Sequence, residues 1–246
     1  MQKRRVRVGE YIDCMFTSLL SGLNLRRLAS QCRVCHAWPA DTVCEACVHQ
    51  FAQPVPRCHA CALTLPAGTD TCGACLRDPP ALNRCLCAVD YAYPWDTLVQ
   101  HFKFHAEPGL ARSMAELLRA APWVEDAIEA ADLLLPLPLS SARLKERGYN
   151  QALLLARQLC ARKTRHDLLL KVQDTPPQHS LKRAARLLAL QQAFAVEPLQ
   201  AHVLRGQRVV LVDDVMTTGA SLNTAARVLK AAGAAHVTGL VFARTS

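Results

Sequence analysis

Residues Val209-Val210-Leu211-Val212-Asp213-Asp214-Val215-Met216-Thr217-Thr218-Gly219-Ala220-Ser221 join an aliphatic run to an adjacent acidic pair and then to a short segment of hydroxyl and small residues. Consecutive β-branched or Leu residues suit a parallel strand covered on both faces. Two carboxylates at its carboxyl end accept hydrogen bonds from a pair of vicinal hydroxyls. Thr217 to Ser221 then lead into a helix, whose unpaired N–H groups and dipole stabilise a phosphate. Adjacent carboxylates repel unless solvated or paired, so an ordinary strand-to-helix turn has no structural reason to carry them. The stretch therefore reads as a sugar-phosphate site. It is not a nucleotide P-loop, because no Lys-Ser/Thr follows the glycine.

Outward from this stretch, strand and helix patterns alternate. Residues 83–92, 132–138, 208–213 and 236–243 read as strands. Residues 95–104, 108–120, 150–164 and 221–232 read as helices, the last ending at Gly233. That order predicts an α/β fold, a parallel sheet with flanking helices on both faces. Ligands on such sheets bind at the strand carboxyl ends, where Asp213 and Asp214 lie.

A second basic segment follows the Pro-rich strand: Ser140-Ser141-Ala142-Arg143-Leu144-Lys145-Glu146-Arg147-Gly148-Tyr149-Asn150-Gln151. Ser140 and Ser141 can donate to an anion, and Arg143 and Arg147 can each fork two oxygens of a diphosphate. Gly148 permits a tight backbone, and Asn150 is a suitable cap for the next helix. Residues 140–190 carry eleven Lys/Arg against three Asp/Glu, within a net charge of +9 for the whole chain. Such a block favours a polyanion: diphosphate, nucleic acid or both. Its peripheral members Arg162, Lys163 and Arg165 read as a solvated helix face.

Eleven of twelve cysteines precede residue 90, and eight of them form four Cys-x-x-Cys pairs. A pair of such turns supplies four thiolates to one tetrahedral ion. Sequential grouping gives Cys32, Cys35, Cys44 and Cys47 for one zinc, and Cys58, Cys61, Cys72 and Cys75 for another. The sequential grouping is the natural one, and spacing leaves a crossed arrangement open. A secreted disulfide scaffold is the alternative. Regular pairing, the lack of an export signal and the sugar-phosphate motif weigh against it. Four thiolates leave no open position, so the zinc is structural, and His36, His49 and His59 are not needed as ligands. Cys85 and Cys87 alternate along a strand and should pack on one face, while Cys160 lies in an apolar helix and Cys14 in the leader.

Of the 246 residues, 51% are apolar, enough for a sizeable core. The basic start and interrupted apolar stretch of residues 11–25 do not form a signal peptide, and no run is long enough to span a membrane. A cytoplasmic protein is expected. Three regions follow: residues 1–30 as a tail with a short helix, 31–78 as a double zinc ribbon, and 79–246 as the α/β domain, with the linker at Asp78-Pro79-Pro80.

The acidic stretch resembles the phosphoribosyl-diphosphate (PRPP) motif of type I phosphoribosyltransferases. The resemblance implies that Asp213 and Asp214 hold the ribose hydroxyls and that Val215, Met216, Thr217, Thr218, Gly219, Ala220 and Ser221 form the segment wrapping the 5′-phosphate. Arg147-Gly148-Tyr149-Asn150-Gln151 after a Pro-rich strand more narrowly resembles the ComF family, in which this place in the sheet carries the diphosphate loop. Leu98 to Phe104 resembles that family's helix ending in a Lys-aromatic pair, with Lys103 directed to the diphosphate or to domain closure. Thr175 to Arg186, followed by Phe194, resembles its mobile hood, with Gln178 and Arg186 at matching positions. His179-Ser180 and Ala189 depart from the hood pattern, where Thr-Gly and Asn are usual.

The implied fold is a type I phosphoribosyltransferase-like sheet preceded by a small zinc-ribbon domain with four-cysteine sites. The implied reaction transfers ribose 5-phosphate from PRPP to an acceptor and releases diphosphate. Mg²⁺, Arg143 and Arg147 would stabilise the leaving group while Asp213 and Asp214 orient the ribose. ComF members are associated with DNA uptake in natural competence. A reading of another class is a non-catalytic PRPP sensor or adaptor that binds single-stranded DNA, a helicase or another DNA-uptake partner. Tyr149 is the only aromatic residue between 140 and 190, which weighs against an autonomous strand binder. A third reading is a transferase of nucleotide salvage.

Overall fold

The computed structural model describes residues 30–172 and 193–246. The chain divides into two compact units, residues 1–44 and 45–246. The expected leader helix and the hood segment with Gln178, Arg186 and Ala189 lie outside the described residues. Among the described residues, no helix is long and apolar enough to cross a membrane.

In the first unit, Ser30 and Ala40 exchange both backbone hydrogen bonds at 2.8 Å and close a small loop. The Cys-x-x-Cys turn inside it is pinned by His36 N donating to Cys32 O at 3.0 Å.

The second unit opens with two short helices, α1 (Glu45–Phe51) and α2 (Gly73–Arg77). Strand β1 (Arg84–Asp90) follows, then helices α3 (Trp95–Phe104), α4 (Leu110–Ala120) and α5 (Val124–Ala130), and strand β2 (Leu133–Pro136). Helices α6 (Ser141–Arg147) and α7 (Gln151–Cys160) come next, then short strands β3 (Leu169–Lys171) and β4 (Phe194–Val196). The unit ends with β5 (Arg208–Met216), α8 (Ala220–Ala231) and β6 (His236–Arg244). The main sheet has the order β1-β6-β5-β2, and all of its pairings are parallel. β3 and β4 form a separate antiparallel pair.

Val209 to Val212 are all buried, as a run covered on both faces requires. Side chains alternate across a strand, so the two faces have different partners. Cys85, Cys87, Leu135, Val209, Leu211, Val237 and Val241 share one cluster with Leu222, Ala225, Ala226 and Leu229 of α8. Across the sheet, Trp95 of α3 meets Phe242 edge-on with ring centroids 6.1 Å apart. Helix α4 is amphipathic, burying Leu110, Ala111, Met114, Ala115, Leu117 and Leu118 at helical spacing.

The central strand extends beyond its expected end. Asp213, Val215 and Met216 continue the pairing with Val241, Ala243 and Arg244 of β6, so the acidic pair lies within the strand's final residues. Helices α5 and α6 and the β3–β4 pair were not expected; each is too short to show a clear hydrophobic period. Cys85 and Cys87 are buried as predicted, and burial pushes both thiols up, Cys87 to about 12. They are neutral packing groups, not nucleophiles.

Two members of the basic block are tied into the fold and not simply solvated. Lys163 Nζ donates to Ile128 O at 2.9 Å and Glu129 O at 2.8 Å, satisfying carbonyls at the end of α5. Arg165 pairs with both carboxylate oxygens of Asp167 at 2.8–2.9 Å.

Candidate active site

The site begins where β5 ends. Asp214 is buried, and its Oδ1 lies 3.0 Å from Lys103 Nζ. Asp213 is partly exposed, and its Oδ1 accepts the Asp214 N–H at 2.9 Å. Burial, and next the neighbouring Asp214 carboxylate, raise the Asp213 carboxyl to about 7; Lys103 and Arg147 pull the other way. Asp213 is thus poised to change charge near neutral pH.

Lys103 reaches the pair because Phe102 and Val99 on the same helix are fully buried and fix its last turn. That turn is also tied to the Arg147–Gln151 segment. Tyr149 Oη donates to Phe102 O, and the Arg147 guanidinium lies 5.1 Å from the Phe104 ring centroid. Arg147 Nη1 donates to Gln151 Oε1 at 3.2 Å. Arg147 Nε and Gln151 Nε2 are buried without a hydrogen-bond partner among the described residues.

The segment after β5 has the form of an anion cradle. Thr217 and Thr218 are exposed, and Gly219 caps α8 with φ +76°. The left-handed backbone angle favours glycine here, and a Cβ at Gly219 would also push aside the tip of the Met216 side chain. Thr218 Oγ1 accepts Ala220 N–H at 3.3 Å, and Ala220 and Ser221 occupy the helix's first turn. Val215 and Met216 belong to the strand; the Met216 side chain is buried in the core.

The basic segment folds in two steps. Ser140 is buried and caps α6, its Oγ accepting Arg143 N–H at 3.3 Å. Gly148 ends α6 at φ +79°, and Asn150 caps α7 by accepting Leu153 N–H at 3.1 Å, as expected. Ser141 and Arg143 are exposed on α6. They make no hydrogen bond or ion pair with the Lys103–Arg147–Asp213–Asp214 group among the described residues. The structure thus gathers Lys103, Arg147 and the acidic pair, and leaves Ser141 and Arg143 outside that group. The grips of Gln151 and Phe104 on Arg147 were missed in sequence, because neither residue type signals a site. Their only trace was their place beside Arg147 and Lys103 in the two quoted segments.

Cys32, Cys35, Cys44 and Cys47 form one tetrad, and Cys58, Cys61, Cys72 and Cys75 another, with sulfurs within 4.8 Å of one another in each. The grouping is sequential, not crossed. Tetrahedral thiolates at the usual zinc–sulfur distance are about 3.8 Å apart. The Cys35–Cys44 and Cys61–Cys72 sulfurs are 3.6 and 3.7 Å apart. Backbone N–H groups of Val34 and Cys44 point at Cys32 Sγ, each at 3.4 Å, and that of Cys72 at Cys58 Sγ, at 3.3 Å. Such donors stabilise thiolates, so both tetrads could hold zinc. His36, His49 and His59 are not members of either tetrad.

A parallel sheet with an acidic pair at a strand end, followed by a glycine-capped helix, defines the phosphoribosyltransferase class of domain. The phosphoribosyl transferase domain model matches residues 147–245, which include Arg147, the acidic pair and Thr217 to Ser221. Over 215 residues the chain is 32% identical to the DNA utilization protein YhgH of Salmonella typhimurium, covering 84% of this chain and 92% of that protein. It is 31% identical over 203 residues to competence protein F of Haemophilus influenzae, covering 79% and 87% respectively. Competence protein ComFC of Bacillus subtilis matches at 37% identity over 103 residues, 42% of this chain and 40% of that protein. The chain belongs to the ComF family.

Proposed function

We propose that this protein binds Mg²⁺-PRPP and transfers its ribose 5-phosphate to an acceptor with release of diphosphate. The observation that carries the reading is the union at one strand end of Asp213, Asp214, Lys103 and Arg147 with the glycine-capped start of α8. The ribose hydroxyls would donate to Asp213 and Asp214, and the 5′-phosphate would lie on Thr217 to Ser221. Arg147 and Lys103 would face the diphosphate, with Arg143 and Ser141 joining from α6 and Ser140 capping that helix. Preorganised cations act on the charge that develops as the leaving group departs. Mg²⁺ bound with the diphosphate would neutralise part of that charge. The acidic pair would orient the sugar ring and support positive charge on it.

Zinc in each tetrad would be structural, folding residues 31–78 ahead of a transferase region spanning 79–246. Eight cysteines grouped for metal binding suit a reducing compartment, and we place the protein in the cytoplasm. A link to DNA uptake is proposed from the names of the relatives. Exposed Arg143, Lys145, Arg157 and Arg162 offer cations to a nucleic-acid backbone or a DNA-handling partner.

Calorimetric titration of Mg²⁺-PRPP into zinc-loaded protein tests the reading. Saturable binding that is lost in Asp213→Asn/Asp214→Asn supports it, and equal binding by the folded double variant rejects it. Diphosphate release with candidate acceptors then separates a transferase from a sensor.

A further inference from the structure

We infer that Arg244 is a positioning residue that couples the metal state of the second cysteine tetrad to the phosphate segment. This rests on the PRPP reading for its ligand, though not for its geometry.

Arg244 ends β6 and is 8% exposed. Its hydrogen bonds reach three places. Nε donates to Cys61 O at 3.0 Å, Nη1 donates to Met216 O at 3.3 Å, and Nη1 also reaches Thr245 O and Oγ1. All of these acceptors are uncharged. A buried guanidinium stays charged, so the neutral acceptors around it must offset its desolvation, and losing one is costly.

The two principal carbonyls belong to functional segments. Cys61 is a member of the second tetrad. Met216 is the last residue before Thr217, and its carbonyl also accepts Thr245 N–H at 3.1 Å. The Met216 side chain fills the space that a Cβ on Gly219 would need. Met216 therefore packs directly against the glycine-capped turn.

A second connection runs in parallel. His59 O accepts Cys85 N–H at 2.7 Å, and Cys85 Sγ lies 3.6 Å from Met216 Sδ. Both routes start on the Cys58–Cys61 turn and end on Met216. A four-thiolate metal would fix that turn, because so small a ribbon has little core of its own. Backbone bonds from Ala62 N to Cys58 O at 2.7 Å and from Cys58 N to Leu63 O at 2.8 Å also hold this turn, so loss of the metal would loosen the Cys61 and His59 carbonyls and weaken two restraints on Met216. Ligand and metal then favour one arrangement, so by linkage each strengthens the binding of the other.

The test compares wild type, Cys58→Ser/Cys61→Ser and Arg244→Met, the last retaining both tetrads. Hydrogen exchange at Thr217–Ser221 should quicken in both variants while Val237–Val241 in the sheet centre stays protected. Mg²⁺-PRPP affinity should fall about tenfold or more in each. Adding the cysteine changes to Arg244→Met should cost less than the two effects combined. Bound PRPP should also slow the loss of one of two zinc ions to a chelator, and Arg244→Met should diminish that protection. Wild-type exchange at 217–221 in Arg244→Met overturns the proposal, as does full additivity of the two changes. If wild type binds no PRPP, the functional reading fails instead, and the exchange comparison still decides the coupling.

Discussion

Lys103 Nζ sits 3.0 Å from Asp214 Oδ1, joining the last turn of α3 to the end of the central strand. The lysine side chain is 18% exposed and the aspartate's 7%, so the pair is largely withdrawn from water. Truncating one member of such a pair strands the other charge.

Lys103→Met is therefore expected to destabilise the ligand-free protein by roughly 2–3 kcal/mol. Lys103→Met/Asp214→Leu should recover much of that loss, because no charge is left buried. Urea unfolding of the three proteins checks this. Equal stability of Lys103→Met and wild type would show that the pair carries no net energy.

Asp213 gives a pH prediction with a definite sign. Its carboxyl is raised to about 7 by burial and by Asp214, against about 3.9 in an unfolded chain. Between those values the folded state holds the extra proton, so this group's contribution to stability declines as pH rises through that window. Asp213→Asn should be more stable than wild type at pH 8, with the gap narrowing toward pH 4. Thermal melts across that range measure it. Mg²⁺-PRPP affinity of wild type should rise through pH 7, since the ionised carboxylate is the better hydroxyl acceptor.

Gly219→Ala places a Cβ on a residue with φ +76° and forces Met216 Cε to move. The backbone angle alone costs about 1–2 kcal/mol. PRPP binding should be lost, while the chain still folds because the displaced atom is the tip of a flexible side chain. Calorimetry with urea unfolding separates these effects; unchanged affinity would remove Gly219 from the phosphate site.

Both tetrads should be filled in protein purified without oxygen. Native mass spectrometry is expected to show two zinc ions, and Cys72→Ser/Cys75→Ser should reduce the count to one. Chelation should lower the midpoint of thermal unfolding. Absence of metal in folded protein would reject the zinc assignment.

Much of this molecule was legible from local pattern. Val209 to Val212 determined a strand buried on both faces, since four aliphatic side chains in succession leave neither face for water. Cys-x-x-Cys spacing determined two pairs of thiolate turns, and Asn150 determined the start of α7 through its own side chain. These features depend on neighbours within a few residues. Tertiary structure decided whatever required distant segments to meet. Continued pairing with β6 carried β5 on to Met216, past its expected end. Packing of Val99 and Phe102 delivered Lys103 to Asp214, although a lysine at a helix end reads equally well as a surface charge. Arg244 is buried because the fold brings carbonyls of Cys61 and Met216 within reach of its guanidinium.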